Sequence, residues 1–313
     1  MGLLDNVKKA ERSKIYAKIA LMAPSGGGKT YGSLLLATGM ADEIKRETGK
    51  DAKILMLNTE QSRGSYYANE FSYDIYNVEA PHEPEKYIQL INEAVQLGYD
   101  ILIIDSTSHE WEGKGGCLEL QQRAGGTYQA WAKVTPRHNR FINAIADSPI
   151  HIIATMRGKD QYEVEKDDRG KTSVKKLGVG AKQRDGFEYE FTATFLIDQK
   201  SNMAEVQKDN THIFENEGAV KLTQEHGKKI IQWANSGDAE YIAPKRNDEI
   251  PEDNLKATVD KIIARCTAVG GTKNKELMET LVQFIPSKNP KGIKDLDTAK
   301  ACLNAVNNIK PIK

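Results

Sequence analysis

Ala23-Pro24-Ser25-Gly26-Gly27-Gly28-Lys29-Thr30 constrains this chain more than any other stretch. Three successive glycines lack β-carbons, so the backbone there can curl and aim several N–H groups at one anion. The flanks supply the context: Ile15 to Met22 alternates like a strand, and Tyr31 to Met40 continues as an apolar helix. Strand, glycine loop and helix in that order predict a phosphate-binding loop with the anion on the helix start. Lys29 is then expected to reach the β- and γ-phosphates and the Thr30 hydroxyl to ligate Mg²⁺. Pro24, Ser25, Gly26, Gly27, Gly28 and Tyr31 complete the expected cradle. Ala23 stands where a glycine is usual, a change small enough for a tight turn. Ile101-Leu102-Ile103-Ile104-Asp105 ends an apolar run in a carboxylate, the expected Mg²⁺ partner of Thr30. No Asn-Lys-x-Asp guanine-reading motif occurs, which favours ATP over GTP.

With 313 residues the chain has material for one large core and a smaller satellite. Short apolar runs at 52–58, 101–105 and 150–156 alternate with helical patterns at 84–97 and 131–146. That alternation predicts an α/β fold, a P-loop core with a mostly parallel central sheet, and a ligand at the carboxyl ends of the strands. Residues 158–186 are polar and Gly-rich and read as a long loop or flexible hairpin. Residues 191–198 and 203–207 are expected as antiparallel strands closing the sheet, with a helix from 223 to 234 after them. Amphipathic patterns at 255–269, 275–284 and 298–309 predict a small C-terminal helical domain. The resulting division is an N-terminal segment 1–12, a core 13–235, a linker 236–253 and a helical domain 254–313.

Lysine plus arginine equals aspartate plus glutamate at 44 each, so any nucleic-acid contact must come from a local patch. Cys117, Cys266 and Cys302 are scattered and odd in number, which argues against a disulfide framework or a zinc site and suits a reducing cytoplasm. The charged start, Met1 to Arg12, does not predict a secretory leader, and no membrane association is expected. From Arg169 to Arg184 there are six cations and no acid. Arg169, Lys171, Lys175 and Lys176 are candidates for a nucleic-acid backbone, where counterion release would drive affinity. Lys182 and Arg184 are candidates to enter a neighbouring subunit's site as arginine-finger-like cations. A solvated charged loop is the alternative for the whole run.

Residues 54–60 (Ile-Leu-Met-Leu-Asn-Thr-Glu), with Asp105-Ser106-Thr107, resemble the RecA-type core of recombinases and related ATPases. Ser106 occupies the position where ring ATPases with an Asp-Glu pair carry their glutamate, so the resemblance assigns water activation to Glu60, with Glu110 and Glu112 as alternates. It also implies an aromatic at Tyr67 against adenine, although a structural role for Tyr66 and Tyr67 stands beside that reading. Thr155 and Arg157 fall where such proteins sense the γ-phosphate and begin a mobile DNA-contacting loop. Taken with Ile104 to Glu112 and Lys182 to Phe191, the pattern over residues 13–235 looks like phage-encoded RecA-like ATPases of the Sak single-strand-annealing group, an AAA-type ATP-binding domain. That resemblance implies an oligomeric, DNA-stimulated ATPase in the host cytoplasm that uses ATP and Mg²⁺. It also implies binding to single-stranded DNA and cooperation with a single-strand-binding protein. A regulatory or assembly ATPase acting on a protein partner, and a small-molecule kinase with the basic loop as lid, are the competing readings.

Overall fold

Ile19 and Leu21 enter one apolar cluster while Ala20 and Met22 enter another, so a strand buried on both sides divides its residues by alternation. This arrangement comes from a computed structural model that describes residues 7, 9–166, 172–241, 254–285, 287–293 and 296–310. The chain divides into two compact units, Met1–Lys245 and Arg246–Lys313.

In the first unit β1 (Lys18–Ala23) runs through the glycine loop into α1 (Lys29–Thr48), followed by β2 (Ile54–Asn58), β3 (Asp74–Asn77), α2 (Pro84–Gln96) and β4 (Ile101–Asp105). Two short helices, α3 (Ser108–Glu112) and α4 (Cys117–Arg123), lead to α5 (Trp131–Asp147), which carries Pro136 inside it. There follow β5 (His151–Lys166), β6 (Thr172–Ala181), β7 (Ala193–Ile197), β8 (Ala204–Asp209) and α6 (Gln224–Ala234). The sheet order is β3-β2-β4-β5-β1-β7-β8, with β6 paired to β5 off that path. The predicted α/β class with a mostly parallel sheet therefore holds. β1 lies between β5 and β7, and β2 beside β4, so the ends of β1, β2, β4 and β5 converge on the glycine loop.

One expectation needs correction. β7 pairs parallel with β1, and only β8 is antiparallel, so one reversed strand closes this edge rather than two. Of the two readings for residues 158–186, a long loop or a flexible hairpin, the hairpin is the one found. β5 pairs with β6 through nine residue pairs from Gly158↔Ala181 to Lys166↔Thr172, with a register shift between Gln161 and Tyr162. Backbone pairing, rather than an apolar pattern, carries the strands past the core.

One apolar layer sets Leu34, Leu36, Ala37 and Met40 of α1 with Ile230 and Ile231 of α6 against the sheet; the other uses Tyr87 and Ile91 of α2 and Phe141 and Ile145 of α5. The α1–α6 crossing is close because both helices present glycine. A β-carbon on Gly39 would lie 1.8 Å from the Gln224 carbonyl oxygen, and one on Gly227 would lie 2.2 Å from that of Leu36. Gly39→Ala is expected to cost about 1–3 kcal/mol by overpacking. In a domain of this size that lowers the melting temperature by roughly 2–4 °C per kcal/mol, read by calorimetry. Thr223 starts α6 with a capping box to His226.

The amino ends of the strands hold a buried polar group. The Lys18 ammonium donates to Ser148 O at 2.7 Å and Ile150 O at 2.5 Å, while His151 Nδ1 accepts from Ala17 N at 3.1 Å. Burial pulls Lys18 down to about 7 and, with the Lys18 charge, His151 down to about 3. A histidine that protonates less readily folded than unfolded contributes fully above the ordinary value of about 6.5 and loses that contribution as pH falls below it. The unfolding free energy read from denaturant titrations should therefore fall between pH 6.5 and 4, by up to about 1.4 kcal/mol per pH unit from this residue. His151→Asn should flatten the slope.

The second unit contains α7 (Asn254–Ala268), α8 (Lys275–Phe284) and α9 (Leu296–Asn307), packed on Ile262, Leu277, Leu281, Cys302 and Val306. Asn274 caps α8 by accepting from Leu277 N. Of the expected linker, residues 242–253 lie outside the described residues. No helix among the described residues is long and apolar enough to cross a membrane.

Candidate functional site

The glycine loop owes its shape to two left-handed residues, Gly26 at φ 80° and Gly28 at φ 82°. Gly27 is needed for space: a β-carbon there would sit 2.7 Å from the Ala23 Cβ. The alanine in the first position is thus accommodated by the missing side chain opposite it. Gly28 caps α1, whose first turn carries no acid of its own, so the positive end of this 20-residue helix favours an anion at the loop. Lys29 is buried at 9% exposure, and its ammonium rests on the Ala23 and Pro24 carbonyls, both at 3.0 Å. Burial lowers its pKa, opposed by the charges of Asp105 and Glu60.

Thr30 Oγ1 donates to Asp105 Oδ2 at 2.5 Å, and Thr155 Oγ1 donates to Asp105 Oδ1 at 2.5 Å. The register that sets Asn58 beside Asp105 also brings the end of β2 to the same place. Thr155 is fully buried on this carboxylate, so it orients Asp105, a role different from the γ-phosphate contact expected for it. Arg157 lines the cavity instead. Its Nε and Nη2 donate to Glu60 Oε1 at 2.9 and 2.7 Å, while Oε2 has Arg63 at 4.0 Å among the described residues. Glu60 is further fixed by its own N–H on Asn58 Oδ1 at 3.0 Å. These groups line a cavity of about 240 Å³ that also takes in Ser25, Tyr66 and Tyr67.

A neighbouring cavity of about 400 Å³ shares Gly26, Gly28, Tyr31 and Tyr67, and adds Gly27, Leu35, Ile197, Asn202, Lys221 and Leu222. Tyr31 meets Tyr67 and Phe71 edge-on at 5.2 and 5.3 Å. Tyr67 belongs to both cavities, whereas Tyr66 is 67% exposed at the mouth of the first. Sequence reasoning missed Gln199, which donates to Ser25 O at 2.7 Å, and Asn202, which faces Gly28. Both sit between β7 and β8, more than 170 residues from the loop they brace, and carry no local signal.

The donor set suits a magnesium-bound triphosphate: a hydroxyl and a carboxylate for a hard cation, with main-chain amides and an ammonium for phosphates. Thr30 and Asp105 would hold the metal, and the loop from Pro24 to Tyr31 the phosphates.

The alternates fare differently. Glu110 is fully buried, accepting from Cys117 Sγ at 3.0 Å, Gln183 Nε2 at 3.2 Å and pairing with His138 Nδ1 at 3.0 Å. With its oxygens engaged and no place in the cavity lining, Glu110 is not a water-activating base. Cys117 is part of that group, and burial beside Glu110 holds its thiol far above the ordinary range. Glu112 lies 3.5 Å from Lys182 Nζ and 3.9 Å from Arg157 Nη1. Arg184 reaches Asn139 Oδ1 at 3.5 Å; neither it nor Lys182 lines the phosphate cavity of its own chain. Lys175 and Lys176 lie on β6, opposite Glu163 and Tyr162 in register, and Arg169 and Lys171 lie outside the described residues. The acid-free run thus folds back on a strand bearing Asp160, Glu163 and Glu165.

No curated protein matches the chain. The family model described as AAA domain matches residues 15–229, more than half of the sequence and the whole of the glycine loop, β2 end and Asp105 arrangement. The chain belongs to the AAA domain family, a nucleotide-binding, ATPase-type P-loop domain.

Proposed function

We propose that the protein is an ATP-dependent recombination or annealing factor that binds single-stranded DNA and hydrolyses ATP, of the phage Sak type. One observation carries the reading: the β5–β6 hairpin, whose second leg bears Lys175 and Lys176, grows directly out of the strand whose Arg157 grips Glu60. Arg157 N–H also donates to Ser108 Oγ at 2.9 Å, and Lys182 N–H to Arg157 O at 2.6 Å. The first leg of the hairpin is thereby joined to the segment that follows Asp105 and the second leg to the first, so a ligand on the hairpin would be felt at the phosphate site.

When bound, ATP supplies the scissile anhydride and Mg²⁺ the charge neutralisation. Lys29 exchanges two loop carbonyls for phosphate oxygens. Thr155 keeps Asp105 oriented, and Glu60 positions water and takes its proton at Oε2, the oxygen Arg157 leaves open. Lys182 or Arg184 of a neighbouring copy would offset developing charge, which makes a homo-oligomer part of the proposal. A single-strand-binding protein is the expected accessory partner. ATP turnover measured with and without single-stranded DNA tests the reading: stimulation of several-fold is expected. Turnover indifferent to DNA, with no DNA bound, would favour a regulatory ATPase acting on a protein.

A further inference from the structure

A cleft of about 900 Å³ lies away from the glycine loop. Part of its lining comes from the segment after β4: Trp111 on α3, Tyr128 in the turn before α5, and Trp131 at the start of α5. The rest includes the base of the hairpin, with Lys159 on β5 and Arg184 just beyond β6. Trp111 and Trp131 stack with centroids 5.4 Å apart and planes 14° from parallel, both half-buried. Tyr128 is 89% exposed. Beside an open cleft, the stacked tryptophan pair and the exposed Tyr128 ring offer apolar surface suited to a flat partner.

Charge identifies that partner. Lys159 and Arg184 face one carboxylate in the lining, Asp185. Flat apolar faces next to an excess of cations match unstacked bases joined by phosphates, the combination that a single strand offers along its length. Along β5 and β6, by contrast, the strand opposite Lys175 and Lys176 bears Asp160, Glu163 and Glu165, with Lys175 opposite Glu163 in register. The cleft therefore combines both kinds of contact more fully than the distal hairpin.

We propose that this cleft is a base-stacking site for single-stranded nucleic acid, in which Trp111, Trp131 and Tyr128 receive bases and Lys159 and Arg184 receive phosphates. The proposal rests on the nucleic-acid reading above and gives it a location. Gln183, also in the lining, donates to Thr107 O at 3.1 Å and to Glu110, so an occupied cleft presses on the segment that follows Asp105.

The test uses full-length protein carrying Trp233→Phe, which leaves Trp111 and Trp131 as its tryptophans. Titration with oligothymidylate should quench their fluorescence saturably. Anisotropy of a labelled oligothymidylate should show that Tyr128→Ala and Lys159→Ala each weaken binding at least about fivefold, with melting temperatures unchanged. Undiminished binding by both variants, with unquenched fluorescence, would overturn the location while leaving DNA binding intact. Absence of oligonucleotide binding by the wild type would remove both readings together. A Tyr128→Ala effect on mass in solution, without one on oligonucleotide affinity, would make the cleft a protein-docking surface and refute the proposal.

Discussion

Glu60→Gln is expected to reduce ATP turnover by roughly 10²–10⁴-fold, the usual contribution of a positioned general base, while ATP remains bound. The amide keeps the size of the carboxylate and can still accept from Arg157 through its oxygen, so the contacts at 2.9 and 2.7 Å need not be lost. What disappears is the ability to take a proton from water. Single-turnover hydrolysis, set beside equilibrium binding of labelled ATP, separates chemistry from affinity. Turnover near the wild-type rate would remove Glu60 as the base. Because Glu110 is buried against His138, Cys117 and Gln183, it could not be the substitute, and Glu112 would be the next residue to replace.

Lys29→Ala is expected to lower turnover by at least roughly 10²–10³-fold, the cost of deleting one strong donor to developing charge, and to weaken nucleotide affinity as well. The ammonium is buried, and its partners within the protein are two carbonyls of its own loop. The variant should consequently fold with a melting temperature close to the wild type. ATP at one hundred times its dissociation constant should stabilise the wild type by about 2.7 kcal/mol, a shift the variant should lack. Retained turnover in Lys29→Ala would contradict the assignment of the loop.

The parts of this site readable from sequence are those whose chemistry is local. Gly26 to Thr30 declares itself because glycine spacing, lysine and hydroxyl must be contiguous to surround a phosphate. Asp105 is legible because an apolar run ends in it. The buried strands β1, β2, β4 and β5 are equally plain, being covered on both faces. β3 was missed because its four residues are all exposed and it is held by pairing with β2 rather than by burial. The outer part of β5 and its partner β6 were legible only as a loop or hairpin, because the polar, Gly-rich sequence there carries no apolar alternation. The direction of β7 could not be read either, since its parallel pairing with β1 depends on the crossover through the rest of the sheet. Gln199 and Asn202, like the Trp111–Trp131 stack, unite residues from separate elements, and only the folded chain puts them together.

The claim on which the rest depends is that main-chain amides and Lys29 grip a triphosphate while Thr30 and Asp105 hold its magnesium. Calorimetric titration of the intact protein with a non-hydrolysable ATP analogue at millimolar Mg²⁺ tests it most directly. The account predicts saturable binding that falls sharply in Lys29→Ala and when Mg²⁺ is withdrawn. Undetectable binding by the wild type, or equal binding by the variant, would contradict it.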